Sequence, residues 1–131
     1  MQRIKEILRS KNLRPTKQRV LIADHLFDGT DKHVTAESLF RELSSNKRDV
    51  SLATVYNTLH EFCKKELLNK ITLDADKVYF DTNTSLHHHF FSEKDKILLD
   101  IKNEDVKISL MPKAPKGKKI KKVELVIYLE D

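Results

Sequence analysis

The chain has 131 residues, 39% hydrophobic and 34% charged, with 25 Lys and Arg against 20 Asp and Glu for a net charge of +5. That balance suits a globular protein of one domain or two small ones and excludes wholesale disorder; no run of about 18 apolar residues is there to span a membrane. Residues 1–6 lack the apolar stretch and cleavage site of a signal peptide, so the expected compartment is the cytoplasm, with no membrane partner.

In chain order, Ile4, Ile7 and Leu8 fall at i, i+3 and i+4 and predict a short amphipathic helix ended by Asn12 and Leu13. Pro15 and Thr16 open a second helix, with Thr16 as N-cap. Its buried face is Val20, Ile22, Ala23, Leu26 and Phe27, and Gly29 stops it. Thr35 caps a third helix with core residues Ala36, Leu39, Phe40 and Leu43; Val34 and Leu39 have the spacing of a hydrophobic staple. After a polar loop, Ser51 caps a fourth helix, residues 51–66, with a second staple pair, Val50 and Val55. Leu52, Val55, Leu59, Phe62 and Cys63 share one of its faces. Cys63 is the sole cysteine; it leaves no internal disulfide and no Cys-x-x-Cys zinc site, and it reads as a packing residue.

The apolar period then changes from helical to alternating. Ile71 and Leu73, then Val78 and Phe80, flank an Asp74-Ala75-Asp76 turn and predict a two-stranded hairpin. Helices followed by a hairpin form a winged helix-turn-helix arrangement. The expected fold class is therefore α+β: an N-terminal winged helix-turn-helix domain, residues 1–82, and a small C-terminal α/β dimerisation domain, residues 83–131, joined by a polar hinge at 81–86. Beyond the hinge, residues 88–91 and 97–101 read as short strands, 103–111 as a turn or two of helix, and 120–129 as a longer last strand. Three strands and one helix cannot bury both faces of their sheet alone, which predicts a homodimer.

Wound at about 100° per residue, residues 51–66 place Ala53, Asn57, His60 and Lys64 opposite the apolar side, with Thr54 flanking and Tyr56 at the border. A small residue permits close approach, Asn bonds base edges, Thr and Tyr touch a thymine methyl or a phosphate, and Lys adds charge. Ser51, at the helix start, offers free N–H groups to a phosphate. With a helix before it and a hairpin after it, this segment predicts a recognition helix for double-stranded DNA. His60 fits a phosphate contact, and His25 a structural role. Seven basic residues against Glu6 alone in positions 1–19, and a lysine cluster from Lys113 to Lys122, fit either a polyanion partner or solvated faces. Pro112, Pro115 and Gly117 mark a turn that places the second cluster on a solvated loop. No nucleophile or general base sits in a Gly-rich or His-Glu-x-x-His arrangement, so no enzyme is expected.

His87-His88-His89 are three imidazoles, side chains that bind metal ions and haem. On a strand, His87 and His89 point one way and His88 the other, so one ion does not take all three. The bland alternative is a solvated polar segment.

Three blocks of sequence, Leu13-Arg-Pro-Thr-Lys-Gln-Arg19, His33-Val-Thr-Ala-Glu37 and Ser51-Leu-Ala-Thr-Val-Tyr-Asn-Thr-Leu59, resemble the ferric uptake regulator (Fur) family. Tyr79-Phe-Asp-Thr-Asn-Thr-Ser85 followed by His87-His-His-Phe-Phe91 looks like its haem-responsive Irr branch. The resemblance implies an iron- or haem-responsive regulator that binds an AT-rich inverted repeat near iron and haem genes as a homodimer, with haem as cofactor or, alternatively, a divalent ion such as Fe, Mn or Zn. It implies DNA contacts from Tyr56, from Arg14 in the minor groove, and from Arg19, Ser51, Ala53, Thr54, Asn57 and Lys77. Asn57 stands where many relatives have Arg, and Asn bonds adenine where Arg bonds guanine, so the operator is expected to differ from the Fur operator. The metal ligands carried over are His33, Asp81 and His88, with Asp100 as a fourth; for haem, His87, His88 and His89. Phe90 replaces a usual ligand histidine. Ser92-Glu-Lys-Asp95 stands where relatives hold a Cys-x-x-Cys pair, so no structural four-cysteine zinc is expected.

Overall fold

The computed structural model describes residues 1–74 and 77–131, which divide between Thr84 and Ser85 into two units. Ala75 and Asp76 of the expected hairpin turn lie outside the described residues, as do the side chains of Asp74 and Lys77. Among the described residues, no helix is long and apolar enough to cross a membrane.

The first unit contains α1 (Gln2–Ser10), α2 (Lys17–Leu26), β1 (His33–Val34), α3 (Ala36–Ser45), α4 (Leu52–Lys64), β2 (Asn69–Asp74) and β3 (Lys77–Asp81). Its core joins Ile4 and Leu8 of α1, Ile22 and Leu26 of α2, Leu39 and Leu43 of α3, Val55, Leu59 and Phe62 of α4, and Phe80 of β3. Three predicted caps are in place. Thr16 accepts from the Arg19 amide at 3.3 Å and Ser51 from the Thr54 amide at 3.1 Å. Thr35 accepts from the Ser38 amide while its own N–H donates to the Ser38 hydroxyl, both at 3.0 Å, a reciprocal capping box. His25 ties α2 to α3 through Glu42 at 2.6 Å. Helix α2 ends at Leu26 with Phe27 as its cap, and Gly29 takes its positive φ of 95° in the bend beyond rather than at the helix end.

Two expectations in this unit need correction. Leu52 is 41% exposed, while Thr58 is buried. The buried arc of α4 is centred near Val55 and Phe62, and Leu52 lies about 70° off that centre at 100° per residue. The sheet also has three strands rather than two, in the order β1-β3-β2. A two-residue strand is too short to show a period in sequence, yet β1 pairs antiparallel with β3 and sets His33 opposite Asp81.

The second unit contains β4 (His87–Ser92), β5 (Ile97–Lys102), a 3₁₀ turn (Asn103–Asp105) and β6 (Val126–Leu129). Strand β4 is central, antiparallel to β5 and parallel to β6. The turn between β4 and β5 is closed by the Asp95 amide donating to the Ser92 hydroxyl at 3.2 Å. The helix expected at 103–111 is only the single 3₁₀ turn, because Val106, Ile108 and Leu110 alternate at period two and Pro112 follows. The last strand is also shorter than expected: residues 106–125 form neither helix nor strand. With no helix to cover it, one sheet face leaves Ile97, Leu99, Ile127 and Leu129 exposed by 41–50%.

Candidate metal centre and recognition helix

In the first unit, the β1–β3 pairing brings His33 Nε2 to 3.2 Å from Asp81 Oδ2. The Asp81 side chain is fully buried, and its Oδ1 accepts from the Asn83 amide at 2.9 Å. A carboxylate withdrawn from water in this way is held by cations and hydrogen-bond donors.

In the second unit, cross-strand register sets His89 opposite Asp100, and His87 shares that face two residues earlier. Asp100 Oδ1 lies 3.3 Å from Nε2 of both histidines, and the two rings are 4.6 Å apart. His87 Nδ1 is 2.7 Å from the Ser85 carbonyl. A carbonyl only accepts, so Nδ1 carries a ring proton, and Nε2 is the nitrogen turned toward Asp100. This is how a metal-binding histidine is oriented by its second nitrogen. The spacing agrees: two ligands about 2.0–2.1 Å from a tetrahedral ion stand about 3.3 Å apart. The donor set of imidazole and carboxylate suits Zn(II), Mn(II) or Fe(II) rather than a thiophilic ion.

His88 lies on the opposite face. Its Nδ1 accepts from the Leu125 amide at 3.0 Å, and its Nε2 donates to Asn103 Oδ1 at 3.1 Å. Both nitrogens are engaged in holding β6 and the 3₁₀ turn to β4. The structure therefore gathers His87, His89 and Asp100 and leaves His88 apart, in place of the His88 and Asp100 combination that the resemblance implies. The offset is one residue along a strand, which reverses the face. Sequence gave no sign of Ser85, whose contribution is a backbone carbonyl.

On α4, Ala53, Asn57 and Lys64 are exposed and Tyr56 is 45% exposed. The Ser51 and Thr54 hydroxyls bond each other at 2.9 Å within the cap. Arg19 donates to the Arg14 carbonyl at 3.0 Å, bracing the turn that carries the exposed Arg14 side chain. Arg48, which sequence did not single out, reaches from the loop before α4 to Asp24 at 2.9 Å and to the Leu21 carbonyl at 3.1 Å. Both bonds fix the entry of α4 against α2.

His60 does not face outward as a phosphate contact. Its ring lies 4.4 Å from that of Tyr56 and edge-on to the buried Phe80 at 5.5 Å, with Nε2 buried and without a hydrogen-bond partner among the described residues. Burial, then the charges of Lys70 and Lys64, lower its pKa from the ordinary 6.5. The neutral ring is thus the folded form, and protonation favours the unfolded chain. His60 costs no stability above pH 6.5 and weakens the fold progressively as pH drops below it. Thermal unfolding at pH 7.5 and 5.5 checks this: His60→Phe is expected to lose less melting temperature on acidification than the wild type.

The profile of the ferric uptake regulator family matches residues 10–128. The chain belongs to that family. It is 33% identical over 106 residues to the ferric uptake regulation protein of Campylobacter upsaliensis, covering 79% of this chain and 67% of that protein. It is 32% identical over 93 residues to the peroxide-responsive repressor PerR of Staphylococcus epidermidis, covering 71% of this chain and 61% of that one. Among solved structures it is similar to the Pseudomonas aeruginosa ferric uptake regulator with manganese, with a TM-score of 0.74 at 23% identity over 98% of this chain and 97% of that one. The Vibrio cholerae regulator gives the same TM-score of 0.74 at 18% identity, over 97% and 98%. These two structures speak for the fold.

Proposed function

We propose that this protein is a homodimeric, metal-responsive transcription regulator whose α4 reads an AT-rich inverted repeat in the major groove, with the β2–β3 hairpin as its wing. Its signal is a divalent cation, and its donors are His87, His89 and Asp100 of the second unit, with His33 and Asp81 of the first completing the set as the resemblance implies. Family membership supports the regulator. The observation that carries the metal reading is the Asp100 carboxylate equidistant, at 3.3 Å, from two Nε2 atoms, one of them on a ring whose tautomer the Ser85 carbonyl sets. A bound divalent ion would be held by these donors and would supply the positive charge that their carboxylates lack. The protein's own contribution is to hold two imidazoles and one carboxylate in register on one face of the sheet.

The test is metal content and DNA binding measured on one preparation. Protein purified without chelator is expected to carry about one Fe, Mn or Zn per chain, to select AT-rich fragments from genomic DNA, and to release them on chelation. Unchanged binding after chelation overturns the metal signal. The haem reading draws on the triple-histidine block, where His87, His88 and His89 are all buried and His88 has both nitrogens engaged. A Soret shift abolished in a His87/His89→Ala variant would return haem to first place.

Base reading is expected to rest on Tyr56 and Asn57. Tyr56→Ala or Asn57→Ala should each cost about 1–3 kcal/mol on the selected fragment and little on random duplex. Equal losses on both, in fluorescence anisotropy titrations, would show that the helix supplies affinity without reading sequence.

A further inference from the structure

We infer that the lysine-rich segment of the second unit is a second DNA-contacting surface, one that grips the phosphate backbone of the duplex without reading its bases. The inference rests on the DNA-binding reading above and reverses the solvated-loop expectation for these lysines. Residues 106–125 run for twenty residues with no helix or strand. Unstructured stretches beyond about 12–15 residues are uncommon inside a small domain and are usually functional. Between residues 106 and 123 stand seven lysines and no Asp or Glu, and every one of the seven is exposed. Lys122 pairs with Glu124 at 3.0 Å; among the described residues the other six have no ion pair.

The backbone holds this charge in place. The Lys118 amide donates to the Pro115 carbonyl at 2.9 Å, and Gly117 supplies the positive φ of 81° that the turn requires. The turn carries Lys116 and Lys118, and Lys119 and Lys121 follow directly, so four lysines fall within six residues. Like charges held this close without counter-charge raise the local potential, and a polyanion relieves it. The chemistry also narrows the partner. The segment has no Arg, Asn, Gln or aromatic residue, so it lacks the planar and bidentate groups that read bases or stack on them. Lysine is a point charge on a flexible stem, suited to phosphate. A lipid surface is the weaker match: helical binders of that surface present a continuous amphipathic face, and Pro112 and Pro115 prevent one here.

The test is the salt dependence of DNA binding by the full chain, comparing wild type with Lys116/Lys118/Lys119/Lys121→Gln and with the matching Lys→Arg variant. Each phosphate contact contributes about 0.9 to the slope of log K against log salt. The Gln variant is expected to flatten that slope by about 2–4 and to lose at least about tenfold affinity on selected and random duplexes alike. The Arg variant should keep the wild-type slope, which shows that charge is what matters and that the segment tolerates change. An unchanged slope in the Gln variant, with Tyr56→Ala still costing sequence-specific binding, overturns the loop surface and leaves the recognition helix standing. A flattened slope with Tyr56→Ala without effect supports the loop and overturns the helix reading. Loss of binding to phosphatidylserine vesicles with the DNA slope intact overturns the proposal in favour of a membrane.

Discussion

Asp81→Asn is expected to lower metal affinity about 10–100-fold, the scale at which losing a group around a metal site is felt, and to remove the response of DNA binding to metal. The substitution keeps the shape of the side chain and the oxygen that accepts from Asn83, so the fold has no steric reason to fail. What it removes is the negative charge, fully buried and 3.2 Å from His33. A buried carboxylate favours a nearby cation strongly, and an amide does not. The readouts are independent of each other. Metal analysis gives stoichiometry. The melting temperature should rise with added metal in the wild type, since an ion at 100 times its dissociation constant adds about 2.7 kcal/mol, and should stay level in Asp81→Asn. Anisotropy gives the DNA response. Asp100→Asn is expected to behave in the same way, because one Asp100 oxygen serves both His87 and His89. His88→Ala supplies the contrast: it leaves the Leu125 amide and Asn103 without their partner and should cost about 1–3 kcal/mol of stability while keeping metal stoichiometry. Loss of the ion in His88→Ala with normal stability would make His88 a ligand after all.

Leu99→Asp or Ile127→Asp is expected to convert the proposed dimer to a monomer and to weaken binding to the proposed inverted repeat by about 10²–10⁴-fold, the loss that follows when two linked contacts become one. Phe90 sits between Leu99 and Ile127 in the cross-strand register, and Ser92 between Ile97 and Leu129. Together they form one apolar stripe across three strands, with Leu99 50% and Ile127 42% exposed. A charge set in the middle of such a stripe is tolerated in a monomer facing water and is costly when a second copy covers it. Sedimentation velocity with and without the substitution decides it. A variant that remains dimeric places the interface elsewhere, and one that becomes monomeric with full operator affinity removes the need for two recognition helices.

Much of this was legible from local pattern. The caps Thr16, Thr35 and Ser51 were readable because they depend on the few residues that follow them, and the core stripes of α3 and α4 because helical period is a property of adjacent turns. Where two local signals competed, reading failed at the margins: Leu52 shares the apolar side in sequence yet lies exposed at the border of the buried arc, and the basic, proline-broken stretch after Asp105 looked more helical and more strand-like than it is.

The sequence by itself determined the family, the four helices, the alternating strands and the chemistry of the donors, since each is written in residue type and short-range spacing. Only the tertiary structure decided which donors meet. His33 and Asp81 stand 48 positions apart in the chain and become neighbours through a two-residue strand that carries no period of its own. Asp100 joins His87 and His89, not His88, because the β4–β5 register fixes which face each side chain takes, and register is a long-range property that a single strand does not encode.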